Sequence, residues 1–159
     1  MVVEEGPGWE TGASGYLMAP SNAHDPTEAK SSELGGLDIL LVEDSWHIGS
    51  AMRNLLQLMG AKVAGPAATA AEAGRLWSEH APDVAIVDVS LRGGERADGL
   101  INRLHHQGVP VIVISGYAEL PEVSGKAMAV LQKPVSEAQL LASLRPLIAP
   151  KAARDSAPR

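Results

Sequence analysis

A chain of 159 residues is long enough for one ordinary domain and too short for two well-packed ones. Apolar residues make up 45% and charged residues 20%, a globular composition, and the lack of cysteine excludes disulfides, thiolate chemistry and cysteine-ligated zinc. The net charge of −6 is uneven: residues 1–36 hold six acids and one Lys, residues 37–149 twelve acids and nine bases, and residues 150–159 one acid and three bases, so the chain has no basic stripe of the kind nucleic acid requires.

Residues 1–36 are rich in Gly, Pro, Ser, Glu and Ala and carry no sustained periodicity, which reads as a flexible arm, with Trp9 inside it. Acids stand where a signal peptide would be basic, and no apolar run approaches the ~20 residues that cross a bilayer. A soluble, cytoplasmic protein without membrane or nucleic-acid partners is expected. Residues 37–149 form the expected single domain and 150–159 a short flexible tail.

Residues 39–42 are an apolar run too short for a helix and read as a buried strand. Ser45 then stands in position to cap a helix carrying Ile48, Met52, Leu55, Leu56 and Met59, which Gly60 ends. A weaker run, 62–64, closes at Gly65-Pro66 and reads as an edge strand. Thr69 and Glu72 have capping-box spacing before Ala73, Leu76 and Trp77. Residues 84–87 are a second buried strand. A helix over 98–107 follows, with Leu100, Ile101 and Leu104 on one face and Gly108 as its stop.

Residues 111–114 and 129–131 read as two more buried strands. The stretch between them, 117–128, contains Pro121, Ser124 and Gly125, so any helix there should be short or irregular. Ser136 and Gln139 form another capping box, before Leu140, Leu141, Leu144 and Ile148. Trp46 and Trp77 read as helix packing residues. His105-His106 reads as a solvated helix end, because adjacent helical positions face different ways. Five strands alternating with helices imply an α/β fold: a parallel sheet, doubly wound, covered on both faces in three layers. With no Phe in the chain, aliphatic side chains must build its core.

The polar residues sit at the strand ends. Glu43-Asp44 follows the first strand, Asp88 the third, Ser115-Gly116 the fourth and Lys133-Pro134 the fifth. In open α/β sheets, ligands bind outside the carboxyl ends of the strands. Carboxylates crowded on that edge raise one another's pKa, and a hard divalent cation such as Mg²⁺ relieves the repulsion. A lysine and a hydroxyl facing the same space suit a phosphoryl group.

This order of residues resembles the receiver domain of two-component response regulators, over roughly residues 37–149. No single element is specific; the combination is. The resemblance implies a flavodoxin-like sheet of strand order 2-1-3-4-5. It implies Asp88 as phosphoacceptor, supplied by a sensor histidine kinase or a histidine phosphotransfer protein. Magnesium would be held by Glu43, Asp44, Asp88 and the backbone carbonyl of Ser90. Ser115 and Lys133 would contact the phosphoryl oxygens, and Lys133-Pro134 would be cis. A protein of this kind is not an enzyme beyond self-phosphotransfer and autodephosphorylation. With only residues 150–159 following, no DNA-binding output domain is expected. Output would then be contact with a downstream protein, as a phosphorelay shuttle, sink or switch, from a monomer or homodimer.

Three positions depart from the family pattern. Arg92 stands where Pro is frequent, in a longer loop over 91–99. Val130 stands where an aromatic switch residue is frequent, with Tyr117 as a partial replacement. The stretch 117–128 is a poor helix on the face most receivers use for output. These departures motivate an alternative, a degenerate receiver serving as a phosphorylation-independent binding scaffold. An aspartate-nucleophile phosphatase would need an acid at Ser90, and a flavin domain would need a Ser/Thr-rich loop where Glu43-Asp44 stands.

Overall fold

The computed structural model describes residues 33–118 and 120–155. Five strands, β1 (Asp38–Val42), β2 (Lys62–Ala67), β3 (Val84–Asp88), β4 (Val111–Ser115) and β5 (Ala129–Gln132), pair in parallel in the order β2-β1-β3-β4-β5. The helices are α1 (Trp46–Leu58), α2 (Ala70–His80), α3 (Asp98–His106) and α4 (Glu137–Asp155), with a 3₁₀ turn at Arg92–Gly94. This is the doubly wound flavodoxin-like arrangement expected from the alternating elements.

Side chains alternate across each strand, and this divides the core in two. Leu40, Val42, Ala85, Val87, Val111 and Val113 face α2 and α3, packing on Ala73, Leu100, Ile101 and Leu104. Ile39, Leu41, Val84, Ile86, Ile112 and Ile114 face α1 and α4, packing on Leu56, Met59, Leu140, Leu141 and Leu144. β3 and β4 are buried at every position, as strands covered on both faces must be.

The helix starts follow from their caps. Ser45 Oγ accepts from the Ile48 N–H, and Thr69 Oγ1 from the Glu72 N–H at 3.2 Å. The Glu72 carboxylate reaches back to the Ala68 N–H at 2.9 Å, one residue before the usual partner of a capping box. Ser136 and Gln139 bond reciprocally, at 3.0 and 3.2 Å. β2 passes close to β1 at Gly65, whose φ is +110°; a Cβ there would lie 2.3 Å from the Leu41 carbonyl oxygen, so only glycine fits.

Several sequence expectations are corrected. Residues 33–36, assigned to the arm, form a turn, and Leu34 is wholly buried, with its N–H donating to the Met59 carbonyl at 2.8 Å. The rest of the arm, residues 1–32, lies outside the described residues. The tail expected over 150–159 is helical as far as Asp155. β5 is an edge strand whose residues alternate between half-buried and exposed, because β4 is its sole strand neighbour. Trp46 is 70% exposed at the start of α1 and does not pack, whereas Trp77 is half-buried against the core.

The stretch between β4 and β5 forms turns rather than an α-helix among its described residues, with Val123 buried as its plug. Leu120 accepts from the N–H groups of Val123 and Ser124, and Val123 from those of Lys126 and Ala127. No helix among the described residues is long and apolar enough to cross a membrane.

Since Leu34 fills the layer between the sheet and α1, Leu34→Ala should cost about 2–4 kcal/mol, read as a lower urea midpoint. A change within about 0.5 kcal/mol would instead mark residue 34 as unpacked arm.

Candidate functional site

Register brings the strand-end residues level. Val42 pairs with Val87, Asp88 with Ile114 and Ser115 with Gln132, so Glu43, Asp88, Ser115 and Lys133 emerge along one edge of the sheet. Glu43, Asp88 and Ser115 are the three buried polar or charged residues among those described. Glu43, Asp44 and Asp88 each place a carboxylate oxygen within 4.8 Å of the other two. Lys133 enters this cluster from β5, its Nζ 2.5 Å from Asp88 Oδ2 and 3.8 Å from Glu43 Oε2. The Lys133–Pro134 peptide is cis, as expected, and Gly65–Pro66 is a second cis bond.

Each carboxylate is also aimed by backbone. The Ser90 N–H donates to Asp88 Oδ1 at 3.0 Å, and the Ser45 N–H to Glu43 Oε1 at 2.9 Å. Ser115 Oγ accepts from the Tyr117 N–H at 2.9 Å, and the Ser115 carbonyl accepts from the Lys133 N–H at 2.8 Å. The Tyr117 ring is 61% exposed, so its backbone rather than its aromatic group meets Ser115. Val130 is likewise exposed on β5.

The long loop after Asp88 closes on itself. Ser90 pairs with Arg96 in a short antiparallel bridge, and the Leu91 N–H donates to the Glu95 carbonyl at 2.8 Å. Leu91 and Ala97 are buried beneath it, and Gly93 and Gly94 turn its tip with φ of 72° and 78°. Arg96 carries the loop outward, bonding Asp98 at 2.7 Å and lying 3.9 Å from Glu122 in the β4–β5 stretch. This tie was not read from the sequence; the Gly93-Gly94 pair was the signal for a tight hairpin tip.

Electrostatics follow from the crowding. Burial pushes the Glu43 carboxyl up to about 7; the Ser45 N–H opposes this, Asp88 adds to it through its charge, and Lys133 opposes it. Lys133 loses solvation, which lowers its pKa. Its bond to Asp88 and the charges of Asp88, Glu43 and Asp44 outweigh that, so the net shift is upward and the ammonium stays charged. Three carboxylates against one ammonium leave a surplus of negative charge that hard cations with oxygen preferences would neutralise.

The model of the response regulator receiver domain family matches residues 39–145. The chain belongs to this family. The receiver is 33% identical, over 116 residues, to the C4-dicarboxylate transport transcriptional regulatory protein DctD of Pseudomonas aeruginosa, covering 67% of this chain and 24% of that one. The chain therefore spans about a quarter of that relative's length. A CheY-like response regulator receiver domain from Methanospirillum hungatei superposes with a TM-score of 0.66 at 25% identity, covering 76% of this chain and 99% of that one. The signal receiver domain of a modulated diguanylate cyclase from Desulfovibrio desulfuricans, described as an example of alternate folding, gives 0.64 at 26% identity, covering 75% and 98%.

The raised Glu43 pKa fixes the sign of a pH effect. Between pH 4.5 and about 7 the folded metal-free receiver holds a proton at Glu43 that the unfolded chain has released, so this group's contribution to stability falls as pH rises through that window. Glu43→Gln should remove the slope. Urea unfolding of both proteins in chelator across pH 4–8 should give a difference of order 1–3 kcal/mol that opens in this window.

Proposed function

We propose that this receiver takes a phosphoryl group on Asp88 from a sensor histidine kinase or a histidine phosphotransfer protein, with Mg²⁺ at the acidic cluster, and signals by contact with a downstream protein. The observation that carries the reading is the meeting of buried Asp88 with Glu43, Asp44 and the Lys133 ammonium at one sheet edge. The donor set is all hard oxygen, which fits Mg²⁺. Glu43, Asp44, Asp88 and the Ser90 carbonyl are the groups that would hold it. Once bound, the cation would supply neutralisation of the charge on the phosphoryl oxygens.

Asp88 supplies the attacking oxygen. Its carboxylate is held between the Ser90 N–H and the Lys133 ammonium, so little reorientation is needed before attack. The new P–O bond forms as the donor's P–N bond breaks, and the imidazole nitrogen keeps the electron pair. Lys133 then passes from the carboxylate to a phosphoryl oxygen. The Ser115 hydroxyl accepts from the Tyr117 N–H and keeps its own proton to donate to the phosphoryl group, which would draw the start of the β4–β5 stretch inward.

Val130 on an exposed edge and turns in place of a helix between β4 and β5 favour a second reading, a binding scaffold that ignores phosphorylation. Incubation with acetyl phosphate separates the two. Intact mass should show one added phosphoryl group that requires Mg²⁺ and is lost in Asp88→Asn, while Lys133→Ala should slow its addition at least tenfold. A wild-type protein left unlabelled under these conditions leaves the scaffold reading.

A further inference from the structure

A mainly apolar groove of about 410 Å³ opens between α1 and the start of α4, lined among others by Ile48, Ala51, Met52, Leu55, Val135 and Leu140. It adjoins a stripe that the core does not use. α1 buries Gly49, Leu56 and Met59, yet Ile48, Ala51, Leu55 and Leu58 recur at i, i+3, i+7 and i+10 on a neighbouring face. Ile48 is 46% and Leu58 71% exposed. An amphipathic helix with a second apolar stripe has a surface that something else covers.

The way the chain enters the domain points to the occupant. Leu34 packs in the same layer as Leu56, Leu140 and Leu144, the layer that Met52, Leu55 and Val135 border. Glu33 Oε1 lies 3.0 Å from an Arg145 guanidinium nitrogen on α4. The preceding residues therefore leave the fold at the lower end of the α1–α4 valley whose upper end is the groove. Within residues 1–32, Tyr16-Leu17-Met18-Ala19 is the longest apolar run, and from Ala19 to Ser32 no apolar side chain is larger than Ala or Pro.

The lengths agree. The 13 residues of α1 span about 20 Å. Fifteen residues of flexible chain, the separation of Met18 from Glu33, have an r.m.s. length of roughly 22 Å. A tether matched to its span gives an effective concentration of order millimolar, so even a free affinity of ~0.1 mM would leave the segment docked about nine-tenths of the time.

We propose that Tyr16, Leu17 and Met18 seat in the α1–α4 groove of their own chain, with residues 19–32 as the tether. The contact is independent of phosphoryl chemistry at Asp88. Because the chain has no cysteine, Ser14→Cys provides a single thiol for a nitroxide label on the full-length protein. In amide NMR spectra, residues 48–55 and 135–140 should lose more than half their intensity, those of α2 and α3 should not, and tenfold dilution should change nothing. Adding Leu17→Asp in the segment, or Ala51→Glu on the exposed wall of the groove, should restore the signals. Uniform spectra without selective loss overturn the proposal. So does loss seen only between labelled and separately isotope-enriched molecules, which would make a second copy the source of the segment.

Discussion

The contact on which this receiver turns is the one between the Lys133 ammonium and Asp88. A parallel sheet delivers the ends of its strands to one edge, and here that edge receives Glu43, Asp44 and Asp88 within a few ångströms. Burial makes such crowding costly, because the charges repel and have lost much of their water. Lys133 reduces the cost from the far side of the sheet, across β4. The site thus depends on strand order as much as on residue identity: a shift in the β4–β5 register would withdraw the one cation and leave the acids uncompensated.

Glu43 marks where that compensation is weakest. Its carboxyl is driven upward chiefly by burial, and Lys133 is nearer to Asp88 than to Glu43. The same groups that make the edge unfavourable when metal-free make it selective for a small cation rich in charge. Stability and ligand affinity are therefore opposed in this cluster, as is usual where a fold holds like charges together for use.

Much of the fold was legible because its signals are local. Short β-branched runs bounded by polar residues gave β3 and β4, and Ser45, Thr69 and Ser136 stand where the helices begin. The residues of the site were legible because they occupy the ends of those runs. What escaped depends on tertiary context. Leu34 lies among turn-forming residues, and only the cavity beneath α1 makes it core. The exposure of Trp46 and the open face of β5 depend on which neighbour is missing, a fact no local window contains. The departures at 117–128 were legible as composition, since Pro121, Ser124 and Gly125 disfavour a helix, but the buried plug Val123 was not.

The loop after Asp88 shows how the domain accommodates a longer connection at its most demanding place. Ser90 and Arg96 close the base of the hairpin, while Gly93 and Gly94 turn at its tip with no atom within 4 Å of where a Cβ would sit. Added length is thereby discharged into solvent, on the far side of a closed ring, and the Ser90 N–H stays fixed on Asp88. In evolutionary terms, this loop is an insertion point insulated from the chemistry beside it: its tip is free to vary in length and sequence while its base is held.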